Sequence, residues 1–198
     1  EIAYPLHRER EALVQQVLAP AVPASLAGLI RQQGVYVITG GLGGLGLLFA
    51  EEIARDTGAR IVLTGRSVLD AARQASLQAL VDKGIRVEYL RCDTSRIEDV
   101  RRMVDEVTTR HGALHGVIHS AGMVSDNFIP KKSEAEVHDV LSAKVPAILN
   151  LDEATRHLPL DLFVAFSSAA SLGNPGQLDY ATANAFLDAF AGHRAEQV

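Results

Sequence analysis

The feature that most constrains the fold is a short β-branched run leading straight into a glycine-rich turn. Residues 35–39 read Val-Tyr-Val-Ile-Thr, residues 40–46 read Gly-Gly-Leu-Gly-Gly-Leu-Gly, and an apolar-periodic segment follows. A strand, a tight glycine turn and a helix, in that order, are typical of a parallel α/β sheet that binds a phosphate group at the turn. The segment therefore predicts both a topology and a ligand class.

The rest of the chain repeats this alternation. Strand candidates are residues 35–39, 60–64, 86–91, 116–119 and 162–166, and helix candidates are residues 45–56, 69–83, 97–111, 134–157 and 179–194. Strands that are apolar on both faces and separated by helices form a parallel sheet covered on both sides. We predict an α/β fold, a doubly wound, Rossmann-like parallel sheet of about five strands in the order 3-2-1-4-5.

Composition excludes several classes of protein. With 47% apolar residues, 22% charged residues and a net charge of −5, the 198-residue chain can bury a core and lacks the basic surface that collects nucleic acid. The single cysteine, Cys92, allows no intrachain disulfide. No apolar run is long enough to span a bilayer. We expect a cytoplasmic protein that binds neither nucleic acid nor membrane.

Two regions differ in pattern. Residues 1–33 contain Pro5, Pro20 and Pro23 and a short helical pattern around residues 9–18. We interpret them as a lead-in, or the end of a preceding structural subdomain. Residues 34–198 carry the alternating pattern and form the second predicted domain.

The glycine-rich turn predicts a dinucleotide site. Glycine allows positive φ, lets a pyrophosphate touch the backbone and lets the helix pack closely on the sheet, while the helix N-terminus attracts the phosphate charge. The predicted contacts are Gly40, Leu42, Gly43, Gly44, Leu45 and Gly46. The alternative is a tight turn with no ligand.

The residues after the second strand indicate which dinucleotide is bound. Arg66 and Ser67 stand where an acid would accept hydrogen bonds from a ribose 2′-hydroxyl, and an arginine there suits a 2′-phosphate. This favours NADPH, unless Arg66 is an ordinary surface residue. After the third strand, Cys92 and Asp93 place a carboxylate within reach of an adenine amino group, although Asp93 also suits a turn.

Candidate catalytic residues follow the fifth strand. Ser167, Ser168, Tyr180 and Asn184 lie where doubly wound sheets bind ligands. A tyrosine hydroxyl, with an ordinary pKa near 10, needs a nearby cation to stabilise its phenolate. No lysine follows Tyr180, so Lys144 on the preceding helix is the candidate; the alternative is a solvated helix lysine.

Together these residues resemble a known family. The turn TGGLGGLG, the triplet Gly65-Arg66-Ser67, the segment His119-Ser120-Ala121-Gly122 and the order Lys144, serine, Tyr180, Asn184 are similar to short-chain dehydrogenase/reductases. Within that superfamily they resemble the ketoreductase domains of modular polyketide synthases, in which asparagine takes the place four residues after the tyrosine and the lysine comes from the earlier helix. The resemblance covers about residue 34 to the C-terminus.

The resemblance implies a role for each residue. Tyr180 would donate a proton to the β-carbonyl oxygen, Lys144 would contact the nicotinamide ribose and stabilise the phenolate, and Asn184 would hold a proton-relay water. Ser120, Ala121 and Gly122 would line the cofactor site.

The active serine is ambiguous. The family's spacing of 13 residues before the tyrosine gives Ser167, whereas aligning the strand end Phe166-Ser167-Ser168 gives Ser168. We favour Ser168, because a loop tolerates a deletion more readily than a buried strand tolerates a change of register.

The resemblance also implies a stereochemical outcome. Ketoreductases that form the L-alcohol carry a tryptophan eight residues before the tyrosine, and this chain has Leu172 there and no tryptophan. Pro175 and Asp126, the latter matching the last acid of a Leu-Asp-Asp marker, favour the D-configured product. The alternative for Asp126 is a solvated loop acid.

We therefore expect NADPH-dependent reduction of a β-ketoacyl thioester presented on the phosphopantetheine arm of an acyl carrier protein, beside neighbouring synthase domains. The resemblance also implies two further strands and a lid, so we expect a catalytic subdomain that is incomplete at its C-terminus. The alternatives are a freestanding dehydrogenase acting on a small alcohol and a catalytically silent structural domain. Epimerisation at the α-carbon stays open.

Overall fold

A computed structural model describes residues 28–197. The helical pattern around residues 9–18, and with it most of the predicted lead-in, lies outside the described residues. The strands are β1 (Val35–Thr39), β2 (Arg60–Gly65), β3 (Arg86–Arg91), β4 (Gly116–His119) and β5 (Leu162–Ala165). The helices are α1 (Gly44–Thr57), α2 (Ala71–Asp82), α3 (Ile97–His111), α4 (Glu134–Ser142), α5 (Val145–Thr155) and α6 (Leu178–Ala195).

The strands form a single parallel sheet within the described residues. Their order is β3-β2-β1-β4-β5, which confirms the predicted class and strand order. Thr39 at the end of β1 pairs with Thr64 of β2 on one side and His119 of β4 on the other. This register brings the carboxyl ends of the three central strands, and the segments that follow them, to one edge of the sheet.

Alternating side chains of β1 pack into two separate hydrophobic cores. Tyr36 and Ile38 pack with α1 and α2 on one face, whereas Val35 and Val37 pack with α3 and α5 on the other. Successive side chains of a strand point to opposite faces of the sheet, and in β1 a helix covers each face, so its residues are buried on both sides. The two cores hold the sheet, and with it the carboxyl edge, in a defined geometry.

Helix α3 shows why these segments are helical. Val100, Met103, Val104 and Val107 are buried along one face, at the spacing of an amphipathic helix. Acidic residues occupy its first turn, basic residues its last, and the helix ends at Gly112 in the left-handed conformation. The predicted bounds, 97–111, match those observed.

The single helix predicted over residues 134–157 is wrong. The structure has two helices, α4 and α5, separated at Ala143 and Lys144. Pro146 in the first turn of α5 has no amide hydrogen, and its ring would clash with the carbonyl of Ser142 in a continuous helix. The break gives Lys144 a non-helical backbone and turns it toward the sheet. Among residues 28–197, no helix has the length and apolar character needed to cross a membrane.

Candidate active site

The glycine turn is closely packed against the chain that follows β4. Gly40 has a φ of +64°, and a Cβ atom on it would lie 2.7 Å from the Cα of Ala121. A Cβ on Gly46 would lie 2.6 Å from the Cα of Gly41. Contacts that close leave no room for a side chain, because real Cβ atoms do not approach backbone at such distances. Gly41, omitted from the predicted site, is needed because its own Cβ would meet Leu63 at 2.7 Å.

The N-terminus of α1 is open to an anion. Its N-cap residue, Gly43, offers no side-chain hydrogen bond, and the first turn contains no acidic residue. The first amide groups of a helix lack partners within the helix and carry the positive end of its dipole. The arrangement can therefore take a phosphate group, which the predicted glycine and leucine residues surround.

A cleft of about 140 Å³ continues from this turn along the carboxyl edge of the sheet. Its lining among the described residues includes six of the predicted cofactor residues: Gly40, Arg66, Cys92, Asp93, Ala121 and Gly122. The remaining predicted cofactor residues lie beside it, on the helix turn and at the strand ends. Strand ends far apart in the chain thus converge on one surface.

Arg66 lies exposed at the end of the cleft. Its guanidinium contacts the sulfur of Met123 at 3.9 Å, and no ion pair among residues 28–197 includes it. The backbone around it is ordered by Tyr89, whose hydroxyl donates to the carbonyls of Gly65 at 2.9 Å and Ser67 at 2.6 Å. An arginine whose backbone is held in place and whose guanidinium has no carboxylate partner can bind a phosphate.

Asp93 forms the turn that the alternative interpretation described. One oxygen, Oδ1, accepts from the amide of Ser95 at 3.1 Å and from its hydroxyl at 2.7 Å. Neighbouring Cys92 is buried, and burial raises the pKa of its thiol to about 12. The thiol therefore stays protonated and is a packing residue at the floor of the cleft rather than a nucleophile.

The end of β4 is tied to the end of β1. The hydroxyl of Ser120 donates to the carbonyl of Thr39 at 2.7 Å, and the Nδ1 atom of His119 lies 2.7 Å from the Thr39 hydroxyl. Burial, and then the Lys144 cation, lower the pKa of His119 to about 3, which the carbonyl of Ala143 partly offsets. His119 is therefore neutral, and it adds no positive charge beside Lys144.

Lys144 is buried, which excludes the solvated helix lysine. It is 4% exposed, its Nζ donates to the carbonyl of Phe166 at 2.7 Å, and Nζ lies 5.6 Å from the centre of the Tyr180 ring. Burial lowers the pKa of Lys144 to about 8, and Asp188 partly opposes this. A Cβ on Gly122 would lie 3.1 Å from Cε of Lys144, so the glycine leaves room for the lysine side chain. The structure thus brings Lys144 to the tyrosine.

The two candidate serines make different contacts. The Ser167 hydroxyl donates to the backbone carbonyl of Asn184 at 3.2 Å. The Ser168 hydroxyl accepts from the amide of Ala170 at 3.2 Å, at the start of a 3-10 turn over Ala169–Leu172. A hydroxyl that accepts a hydrogen bond still has its own proton to donate. Ser168 can therefore bond to a substrate oxygen while keeping its contact with the turn.

Asn184 is fully buried one helical turn after Tyr180. Its side-chain amide nitrogen donates to the carbonyl of Tyr180 at 2.7 Å, while its Oδ1 atom makes no hydrogen bond within the part of the chain that the structure describes. A buried acceptor without a partner is costly, which favours a water or ligand at that atom.

The residues tied to stereochemistry lie on two neighbouring loops. Leu172 ends the 3-10 turn, and Pro175 is exposed two residues after Gly173. Asp126 accepts from the side-chain amide of Gln177 at 2.9 and 3.0 Å through its two oxygens. Asp126 is therefore an exposed loop acid that is tied to the segment leading into α6.

Comparison with known proteins agrees with this geometry. The profile of the KR domain matches residues 34–198. The chain belongs to the KR domain family. It is 48% identical over 166 residues to the polyketide synthase PksN of Bacillus subtilis. The matched region is 83% of this chain and 3% of that protein. The resemblance to polyketide synthase ketoreductases is thereby confirmed.

Solved structures give the same fold for this KR domain. A ketoreductase domain from the bacillaene assembly line superposes with a TM-score of 0.82 at 41% identity, over 97% of this chain and 50% of that one. A Burkholderia phymatum short-chain dehydrogenase/reductase, solved in complex with NAD, superposes with a TM-score of 0.77 at 22% identity, over 84% of this chain and 60% of that one. The second likeness shows the fold alone. This chain thus spans about 3% of the length of PksN and half the length of the bacillaene ketoreductase domain.

One ion pair of this KR domain was not predicted. Lys132 and Asp179 meet at 2.6 Å, 47 residues apart in the chain, and both side chains are almost completely buried. No local pattern marks either residue, since Lys132 is one of two adjacent lysines and Asp179 resembles a first-turn helix acid. Only the folded chain reveals that they are partners.

Proposed function

We propose that this domain catalyses NADPH-dependent reduction of a β-ketoacyl thioester, carried on an acyl carrier protein, to the D-configured β-hydroxyacyl thioester. The observation that carries the proposal is the buried Lys144, held 5.6 Å from the Tyr180 ring at the same sheet edge as the open helix N-terminus. Membership of the KR domain family supports the reaction class.

The residues present fit NADPH. The glycine turn has no room for side chains at Gly40 and Gly46, so the backbone can approach a pyrophosphate. Arg66, which has no carboxylate partner among the described residues, fits a 2′-phosphate, and the second oxygen of Asp93 fits an adenine amino group. When bound, the nicotinamide supplies the hydride that goes to the carbonyl carbon.

The chain itself supplies the proton and the polar contacts. Tyr180 donates its phenolic proton to the carbonyl oxygen as that oxygen takes up the electron pair of the broken C=O π bond. Ser168 donates a hydrogen bond to the same oxygen and stabilises its developing charge. Lys144 stabilises the tyrosinate that is left. A water at the Asn184 Oδ1 atom returns a proton, so the balance is one ketone, one hydride and one proton to one alcohol.

The position of Asp126 supports the D configuration. Gln177 holds it at 2.9 Å, three residues before Tyr180, so the loop after β4 reaches the entrance to the catalytic helix. A thioester arm passing that loop would present one face of its ketone to the cofactor. The presence of Leu172 where L-forming enzymes carry tryptophan leaves the opposite side open.

The first test is oxidation of NADPH by the intact polypeptide with a synthetic β-ketoacyl thioester, followed by chiral chromatography of the alcohol. We expect the D-alcohol, and no comparable rate with simple alcohols or ketones. A preference for small alcohols would favour the freestanding dehydrogenase. The silent structural domain would be favoured if the polypeptide did not bind NADPH and if Tyr180→Phe abolished no activity. The L-alcohol would contradict the stereochemical part alone.

The second test concerns the cofactor. Replacing Arg66 by alanine removes the cation that fits the 2′-phosphate, so we expect about a 10- to 100-fold loss of NADPH affinity, the range for one charge-assisted contact. The affinity for NADH, which lacks that phosphate, should stay the same. Arg101→Ala is the matched control, because that exposed arginine on α3 pairs with Glu153 on α5 and does not line the cleft. An equal loss for both cofactors would contradict the assignment of Arg66.

A further inference from the structure

The loop after β4 and the first turn of α6 are joined by a buried ion pair. Lys132 Nζ lies 2.6 Å from Asp179 Oδ2, and the two side chains are 2% and 1% exposed. Lys132 also donates to the backbone carbonyl of Ser125. One ammonium group therefore ties both ends of the loop 125–132 to the first turn of the helix that carries Tyr180.

The carboxylate of Asp179 contacts Tyr180 as well as Lys132. While Oδ2 binds Lys132, Oδ1 accepts from the backbone amide of Tyr180 at 2.9 Å. The amides of a first helical turn have no partner within the helix, so this bond sets where the turn begins and how it is oriented. The carboxylate thus connects the loop to the backbone of the catalytic tyrosine.

Two weaker contacts run along the same boundary. The amide of Asn127 donates to the carbonyl of Gly176 at 2.9 Å, and Gln177 donates to Asp126 at the surface. The Gln177–Asp126 contact is exposed, unlike the ion pair. The two weaker contacts align the two segments, whereas the buried pair anchors them.

Stability does not explain a charge pair at this position. Removing two charges from water costs free energy that their attraction offsets only with good geometry, and an apolar pair of similar volume is often as stable. What an apolar pair lacks is direction: it cannot hold both the Ser125 carbonyl and the Tyr180 amide. The geometry therefore points to orientation of the site as the consequence of the pair.

We propose that Lys132 and Asp179 are positioning residues that clamp the loop 125–132 onto the start of α6, and so fix Tyr180 relative to Asp126. The proposal rests on the proposed function, because it assigns Tyr180 the proton transfer. Neither residue touches the cofactor cleft, and both act through the tyrosine and the loop. The clamp would govern both the rate of proton transfer and the face of the ketone that is reduced.

The test compares Lys132→Met with Lys131→Met in the intact polypeptide. Lys131 is the adjacent lysine, exposed and with no side-chain partner among the described residues, so it is a matched control. We expect Lys132→Met to lower kcat about 10- to 100-fold, since misplacement of a reacting group by about 1 Å costs that much. NADPH affinity should be kept, and the minor enantiomer should increase. Lys131→Met should match the unmodified protein.

The double variant Lys132→Met/Asp179→Asn separates orientation from stability. It removes the unpaired buried carboxylate, and its amide oxygen can still accept from Tyr180. We expect the melting temperature to recover while kcat and enantiomer ratio stay impaired. Recovery of kcat together with the melting temperature would reduce the pair to a structural role and overturn the proposal, as would equal effects of the two single lysine variants.

Deuterium exchange provides a measure that does not depend on activity. In Lys132→Met, exchange should rise together in peptides covering residues 123–132 and 174–182, and stay unchanged in β1 and β2. A rise in only one segment, or in neither, would overturn the clamp even if the enzyme is active. If the unmodified protein reduces no β-ketoacyl thioester, the proposed function fails, while the exchange result still decides whether the clamp exists.

Discussion

The two halves of the site are built in different ways. The half proposed to hold the cofactor, at the ends of β1, β2 and β3, relies on backbone: a positive φ at Gly40, an uncapped helix start, and the carbonyl of Arg66, which accepts from Arg91. The half proposed to be catalytic relies on side chains, with Lys144, Ser168 and Tyr180 brought from three separate segments. The first half leaves no room for a side chain at Gly40 or Gly46, and the second depends on the placement of three side chains.

The largest expected effect tests whether the halves are separable. Tyr180→Phe removes the proton donor while keeping the ring near Lys144, so kcat should fall by about 10²- to 10⁴-fold, the usual contribution of a general acid. NADPH binding, which belongs to the other half, should be unchanged in a fluorescence titration. A parallel loss of binding would show that the two halves form one unit.

The next effect distinguishes the two serines of the catalytic half. Ser168→Ala should lower kcat about 10²-fold, the cost of removing one donor to a developing oxyanion. Ser167→Ala loses only the hydroxyl bond to the Asn184 carbonyl, worth about 1 kcal/mol, so its effect should be less than tenfold. The reverse order in steady-state rates would make Ser167 the active serine.

The third effect is the pH dependence of stability that Lys144, in the catalytic half, contributes. Lys144 has a folded-state pKa of about 8, below its ordinary value of 10.5, so between these values the unfolded chain binds more protons. The Lys144 contribution to the free energy of unfolding of the cofactor-free protein should therefore rise from about pH 8 upward, by an amount on the order of 3 kcal/mol. Cys92 acts in the opposite direction at alkaline pH, because the pKa of its thiol is raised to about 12 in the folded protein.

The matched variant for that measurement is Lys144→Met, which keeps the buried stem and removes the charge. Denaturant unfolding at several pH values should show the unmodified protein gaining stability relative to this variant from about pH 8 upward. Identical slopes would mean that Lys144 is fully charged in the folded state across this range, and that burial does not lower its pKa.

The smallest effect sharpens the description of the cofactor half. In Gly46→Ala the added Cβ would lie 2.6 Å from the Gly41 backbone, so overpacking should cost about 1–3 kcal/mol. A Cβ at Gly44 meets no atom within 4 Å, so Gly44→Ala should be neutral or slightly stabilising to the fold. Native-state exchange of the β1 and β2 amides would measure both, and equal costs would show that steric exclusion does not explain the glycine at 46.

How much the sequence could predict depends on how local the cause is. The strand, turn and helix at 35–57 follow from neighbouring residues, and the predicted and observed bounds agree within a residue. The helix break at Lys144 also had a local signal, Pro146, which the periodicity of residues 134–157 obscured. Lys132 and Asp179 had none, because their meeting depends on the path of a loop. The choice between Ser167 and Ser168 stays a prediction.

The sequence by itself determined the parallel α/β sheet, its strand order, the phosphate-type turn and the resemblance to polyketide synthase ketoreductases. The sheet and the turn follow from steric and hydrophobic patterns that act over a few residues, where glycine and apolar spacing leave few alternatives. The resemblance rests on the motifs themselves. Only the tertiary structure decided that Lys144 is buried beside Tyr180 and that Lys132 is paired with Asp179. Their burial and charge depend on residues distant in the chain, and a buried charge is tolerated only where packing brings it a partner.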